Sequence, residues 1–122
     1  MTAGLMVSAR IETWPISGSF TIARGAKTEA VVVVAEVTDG QITGRGECVP
    51  YARYGESPES VFERIEGLRG AIAKGLTRQD LQSALPPGAA RNALDCAFWD
   101  FEAKRTKTRA YKRAGLPPPK PV

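Results

Sequence analysis

The chain has 122 residues, 43% hydrophobic and 25% charged, a balance that fits one globular domain and excludes a disordered segment. It contains no histidine, which removes Ser-His-Asp and Cys-His mechanisms within this chain and the commonest metal ligand. Net charge is +4, but seven cations stand from Lys104 onward without an acid, so the remaining ten Lys and Arg face all thirteen acids and leave a mildly acidic body with a basic tail.

Leu5, Val7, Ala9 and Ile11 alternate with Met6, Ser8, Arg10 and Glu12, and a period of two predicts a strand with one buried face. Trp14-Pro15 is expected to end it, because proline removes a donor and restricts its predecessor. Ser17 to Lys27, with Gly18 and Gly25, reads as a loop. Four successive valines between Glu29 and Thr38 predict a strand buried on both faces. Asp39-Gly40 has the composition of a two-residue hairpin turn, and Ile42 to Val49 returns as a third strand. Gly44 and Gly46 within it predict a close backbone approach or a bulge.

A second loop, Pro50 to Glu56, carries Tyr51, Arg53 and Tyr54. Ser57-Pro58-Glu59 is a helix start, with a capping serine, proline at the first helical position and an acid at the positive end. Val61, Ile65, Leu68 and Ile72 follow at helical spacing, up to a stop at Gly75. Thr77 begins a short helix, with Asp80 in capping-box position and Leu76 and Leu81 placed as a staple. Pro86-Pro87-Gly88 breaks it. Ala89 to Arg105 is the strongest helix, with Ala90, Leu94, Ala97 and Phe101 as its stripe and Ala93, Cys96 and Phe98 widening it. A short helix around Ala110 to Ala114 precedes an extended, proline-rich end. Three strands followed by helices predict an α+β fold, a three-stranded antiparallel sheet followed by a helical bundle.

Chemical candidates are few. Asp95, Asp100 and Glu102 invite a metal site, but carboxylates two turns apart on one helix do not converge on one ion, and pairs such as Asp95 with Arg91 and Asp100 with Lys104 explain them more simply. Gly44-Arg45-Gly46-Glu47 resembles part of a phosphate loop but lacks the strand–loop–helix context. Cys48 and Cys96 read as small buried residues, and Trp14 and Trp99 as core or interface aromatics. Two cysteines form neither a disulfide framework nor a zinc box, and no basic stretch leads into an apolar one at the start, so a reduced, cytoplasmic protein is expected. The basic tail is expected to be solvated or packed on a partner; a stand-alone binding module using that tail is the rival from another class. Arg24 stands in a partly apolar loop with Phe20, Ile22 and Ala23, where a guanidinium fork suits a carboxylate.

The stretch Gly88 to Lys104 resembles the last long helix of the N-terminal capping domain in the enolase superfamily, in its muconate-lactonizing and mandelate-racemase-like branch. Gly44-Arg-Gly-Glu-Cys-Val-Pro50 looks like that family's third strand running into its second specificity loop. Trp14-Pro15, Phe20-Thr-Ile-Ala-Arg-Gly25, Tyr51-Ala-Arg-Tyr-Gly-Glu-Ser57, Lys74-Gly-Leu-Thr-Arg78 and Leu85 to Cys96 are most similar to dipeptide epimerases of the L-Ala-D/L-Glu type. The resemblance implies a cap on a modified (β/α) barrel in which Mg²⁺, three acidic residues and two lysines remove and return the proton α to a carboxylate. It implies residues 1–116 as the capping domain and 117–122 as a linker toward a barrel absent from this chain. The sequence has no Lys-x-Lys pair, so the chain alone is expected to be inactive and to need a barrel in cis or in trans. By family position, Arg24 would bind a substrate carboxylate, and Phe20, Tyr51 and Tyr54 would shape the pocket around an acidic dipeptide. Self-association through the uncovered flank is expected, with no nucleic-acid or membrane partner. A cap of a muconate cycloisomerase or an o-succinylbenzoate synthase-like enzyme is the alternative within the superfamily.

Overall fold

A computed structural model describes residues 4–22 and 25–121, with the backbone alone for 19–22 and 25–27. Its elements are β1 (Met6–Ile22), β2 (Gly25–Thr38), β3 (Thr43–Cys48), α1 (Pro58–Glu66), α2 (Arg69–Ala73), α3 (Leu81–Ala84), α4 (Ala89–Thr106) and α5 (Ala110–Arg113). The strands form the expected antiparallel meander, in the order β1-β2-β3. Helices cover one face. Val33, Ala35 and Val37 of β2 meet Ile65, Ile72, Leu81, Leu94, Phe98 and Phe101, all essentially inaccessible to solvent. Val32 and Val34 are buried on the opposite face, so the valine run is covered on both sides as its composition predicts.

β1 does not end at Trp14-Pro15, and Ser17 to Lys27 is not a simple loop. Trp14 pairs with Ala30 and Pro15 with Glu29. After a register shift, Phe20, Thr21 and Ile22 pair with Lys27, Ala26 and Gly25, extending the hairpin as an arm. The proline is tolerated for a positional reason. The Ala9 N–H donates to Glu66 Oε2 at 3.0 Å, so it points away from β2. Register is unbroken from Met6 to Pro15, so every second residue from Ala9 faces the same way, and the N–H that Pro15 lacks would have pointed off the sheet edge. The turn after β2 also differs from expectation. Thr38 pairs with Thr43, and four residues connect them. Asp39 Oδ1 accepts the N–H groups of Gln41 (2.9 Å) and Ile42 (2.8 Å), closing the turn with a side chain.

The predicted cap of α1 forms as a reciprocal box between Ser57 and Ser60, both bonds 3.0 Å. Its helix is not continuous to Gly75. It breaks at Gly67-Leu68, where glycine is a poor helix former and Leu68 N–H bonds the Ile65 carbonyl in 3₁₀ fashion. The Thr77–Asp80 box also forms, at 2.8 and 3.3 Å, but the helix it introduces starts only at Leu81.

The most extensive contact between a helix and the sheet is α4 against β3. A Cβ at Gly44 would lie 2.1 Å from the Ala97 carbonyl oxygen and 2.4 Å from the Phe101 nitrogen; one at Gly46 would lie 2.1 Å from the Ala93 oxygen. Helix backbone therefore rests directly on strand backbone. Cys96, expected in the buried stripe, is exposed at the margin of this contact, its Cβ 3.0 Å from where a Cβ on Gly46 would stand, while Cys48 is buried.

The charged residues of α4 are structural. Asp100 and Lys104 form the predicted pair at 2.9 Å, and each also caps the β3 edge: Arg45 N–H donates to Asp100 Oδ2 (2.9 Å) and Lys104 Nζ to the Thr43 carbonyl (2.9 Å). Glu102 accepts from Arg78 (3.0 Å) and from Arg113 of α5 (2.8 Å), and Arg78 lies 3.9 Å above the Trp99 ring. Burial pushes the Glu102 carboxyl up, but the two arginine bonds outweigh it and hold the group below its usual value. The expected Arg91–Asp95 pair does not form; Arg91 reaches the Leu85 carbonyl instead, at 3.5 Å.

Two measurements test this packing. Gly46→Ala, and equally Gly44→Ala, should cost about 3 kcal/mol or more, since the methyl meets backbone that cannot move aside, and should lower Tm by roughly 10 °C or more. Gly70→Ala, in α2 with nothing within 4 Å of the new methyl, should stabilise by about 0.5–1 kcal/mol. Equal effects at Gly46 and Gly70 would refute the backbone contact. For Glu102, a depressed folded value means its stabilisation is complete above the unfolded value of about 4.3 and lost as pH falls through the folded one. Urea midpoints of Glu102→Gln should fall less steeply below about pH 4.3 than those of the parent; parallel curves would show that the arginine pairs contribute nothing.

Candidate functional site

Beyond Cys48 the chain leaves the sheet into the segment that carries the two candidate tyrosines. Tyr51 is extended, Ala52 to Tyr54 make a single 3₁₀ turn, and Gly55 closes it at φ 74°, a left-handed conformation that glycine adopts without strain. Tyr54 N–H and Glu56 N–H both return to the Tyr51 carbonyl, at 3.0 and 3.2 Å. This brings Tyr51 and Tyr54 together edge to face, with ring centroids 6.2 Å apart and planes at 89°. The Arg53 guanidinium lies 5.4 Å from the Tyr54 ring centre. Tyr51 is 49% exposed and Tyr54 69%, so the pair is presented outward and contributes nothing to the core.

Of the other sequence-predicted site residues, Phe20 lies on the β1 arm, its backbone paired with Lys27. Arg24 lies outside the described residues. The structure thus joins the two tyrosines and leaves their relation to Arg24 to the functional proposal.

Glu56 is the residue that sequence reasoning missed. Its Oε2 accepts the Ala89 N–H at 2.8 Å, at the start of α4, and its Oε1 lies 3.5 Å from the Tyr51 nitrogen. No local pattern announces a partner 33 residues away; the one available signal was that Gly88 gives α4 no capping side chain of its own.

The remaining candidates take structural roles. Trp14, read as a core or interface aromatic, is 55% exposed and donates from Nε1 to Glu12 at 3.0 Å. Glu12 also receives Arg10, whose bond is the main reason its carboxyl sits below the ordinary range, and Arg45 at 3.7 Å. Arg10 further pairs with Glu36 at 3.3 Å. These side chains stand on the sheet face opposite the helices, where β2 buries Val32 and Val34. Gly44 to Glu47 lies within β3, not in the strand–loop–helix turn that a phosphate loop requires. Burial pushes the Cys48 thiol up to about 11, which leaves it a protonated packing residue. Among the described residues, no three acidic or cysteine side chains come together to hold a metal ion, and no helix is long and apolar enough to cross a membrane.

Comparison with known proteins gives a consistent picture. Residues 5–112 match the family described as mandelate racemase / muconate lactonizing enzyme, N-terminal domain. The chain is 50% identical over 111 residues to the L-Ala-D/L-Glu epimerase of Escherichia coli (strain K12), covering 91% of this chain and 35% of that protein. It is 40% identical over 77 residues to the N-acetyl-D-glutamate racemase of a Pseudoalteromonas species, covering 62% and 24%. Among solved structures it is similar to an enolase family member from Agrobacterium tumefaciens with homology to dipeptide epimerases, bound to sodium and L-Ala-L-Glu with an ordered loop. That match has a TM-score of 0.87 and 52% identity, over 93% of this chain and 35% of the other. The chain therefore spans about a third of the length of the epimerase and of the enolase family member.

Proposed function

We propose that this chain, which belongs to the mandelate racemase / muconate lactonizing enzyme N-terminal domain family, is the substrate-covering cap of an epimerase acting on acidic dipeptides of the L-Ala-D/L-Glu kind. The observation that carries the proposal is the outward-facing tyrosine pair. Two large aromatics held edge to face on a built turn, exposed in this chain, suit a wall closed by substrate and by a second domain. High identity to a protein whose structure holds L-Ala-L-Glu supports the substrate class. The name N-acetyl-D-glutamate racemase supports a second reading, an N-acylated glutamate, which shares with the dipeptide an amide-linked glutamate bearing the exchangeable α-proton.

In this proposal the division of labour follows from the residues present. The described side chains do not fit a metal, and the sequence carries no Lys-x-Lys pair. Mg²⁺ and the proton-transferring lysines therefore belong to residues outside this sequence. The cap binds, orients and excludes water. Arg24 takes the side-chain carboxylate of the glutamyl residue as a charge-assisted fork, while Phe20, Tyr51 and Tyr54 wall the pocket. Residues 1–116 form the cap and 117–122 lead toward a (β/α) barrel. Ile11, Val31, Tyr51 and Tyr54 are exposed and supply apolar surface for that barrel or for a second copy. Free cysteines fit a cytoplasmic enzyme. A structural role for the start of the basic tail is supported by two of its cations, Lys104 and Arg113, which pair with Asp100 and Glu102.

The chain alone should convert no dipeptide, and adding the remainder of the enzyme should restore epimerisation of L-Ala-L-Glu. Arg24→Ala should then lower kcat/KM on that substrate roughly ten- to a hundredfold more than on an uncharged dipeptide, the worth of about 1.5–3 kcal/mol for a charged hydrogen bond. Equal losses on the two would mean that Arg24 supports its hairpin and does not read the substrate. Sedimentation of the isolated chain should show concentration-dependent association; a clean monomer throughout would count against an uncovered docking flank.

A further inference from the structure

Tyr51 to Gly55 have no anchor in the core. All five residues are exposed, and the 3₁₀ turn buries none of its side chains. The bonds that shape the turn are local, running between residues 51 and 56. Among the described residues, no side chain from 51 to 55 makes a hydrogen bond or ion pair with any residue outside this loop. The tie to the rest of the molecule is Glu56, half-buried, whose carboxylate accepts the Ala89 N–H at 2.8 Å. Its backbone N–H meanwhile holds the Tyr51 carbonyl at 3.2 Å. One residue thus grips the tyrosine turn with its main chain and the start of α4 with its side chain. The α4 end of this link is rigid, because the helix backbone is seated on β3 at Gly44 and Gly46. Gly88 makes room for it: a Cβ there would stand 2.9 Å from Glu56 Oε2.

We infer that Glu56 is a positioning residue that holds the Tyr51–Tyr54 wall in place by clasping its turn to the N-terminus of α4. The clasp follows from the geometry alone; its effect on substrate rests on the proposed function above. A carboxylate is the right group, since it accepts from a helix-terminal N–H at the positive end of the dipole. Length matters as much as charge, because a side chain one methylene shorter cannot span from the turn to Ala89.

The test uses Glu56→Ala, Glu56→Asp and Glu56→Gln in this chain, with amide hydrogen exchange followed by NMR. In the Ala and Asp variants, exchange at Tyr54, Gly55 and Ala89 should quicken about tenfold or more, while core amides such as Val33 and Phe98 keep the parent rates. The Gln variant retains an acceptor of the same reach and should stay within about threefold of the parent. If Glu56→Ala is too unstable to study, the Asp and Gln pair gives the same contrast with the fold preserved. Faster exchange at Ala89 alone, with Tyr54 and Gly55 unchanged, would reduce Glu56 to a helix cap and overturn the clasp. In the complete enzyme, Glu56→Asp should raise KM for the acidic dipeptide about fivefold or more with kcat within about twofold, and Glu56→Gln should largely rescue it. An unchanged KM beside a loosened turn would overturn the effect on substrate. A parent enzyme that does not epimerise acidic dipeptides would defeat the functional proposal, and the exchange rates would still decide the clasp.

Discussion

The close seating of α4 on β3 organises this molecule. Two glycines two apart on a strand are separated by about 6.7 Å, and helix residues four apart by about 6 Å. Gly44 meets Ala97 and Phe101, and Gly46 meets Ala93 and Ala97, so the repeats of strand and helix match over one turn and the helix runs antiparallel to the strand. With no side chain between them, the two backbones come closer than any other residue type would allow. That closeness brings Leu94, Phe98 and Phe101 over the valines of β2, and it sets the end of α4 from which the tyrosine turn is held.

Once α4 lies there, its charged residues fall where they can finish the sheet. Asp100 and Lys104 reach the outward-facing groups of β3, and Glu66 of α1 takes an outward N–H of β1. Both edges of a three-stranded sheet are thereby blunted by helix side chains, which stabilises the sheet as it stands and discourages further pairing. Glu102 works at the same end of α4 but on its opposite face, gathering Arg78 and Arg113 so that α5 follows the body of the cap. Asp100 and Glu102 thus do structural work on opposite faces of the helix, and among the described residues the acids that invite a metal reading do not converge.

The candidate site is built on the opposite principle. The Tyr51–Glu56 segment adds no side chain to the core, and the β1–β2 hairpin continues past its register shift as a two-stranded arm. Such segments gain order from specific bonds and from whatever closes on them, which suits surfaces that shape a pocket shared with another domain. Glu56 reconciles the two regimes by tying the exposed tyrosine pair to the helix that is seated directly on β3.

Much of the fold was legible in the sequence because local patterns and long-range packing agree there. Alternation in β1, the valines of β2, Ser57-Pro58 before α1 and the apolar stripe of α4 each predict what forms. The motifs that resemble dipeptide epimerases made Tyr51 and Tyr54 candidates, and Gly44 and Gly46 announced a close approach without naming its partner. What the sequence misjudged were places where a distant residue alters a local preference. Pro15 reads as a strand end, yet an edge position whose N–H would face outward makes it harmless. Cys96 reads as apolar and small, but the glycines centre the contact on Ala93 and Ala97, and Cys96 falls at its exposed margin. Glu56 looks like a loop acid until the fold sets Ala89 beside it. Sequence alone determined most of the elements, their order and the family, since these rest on periodicity, capping and motif. Tertiary structure alone decided which charges pair, how far the first hairpin extends and what holds the tyrosine wall, because those depend on contacts between residues that the chain keeps far apart until it folds.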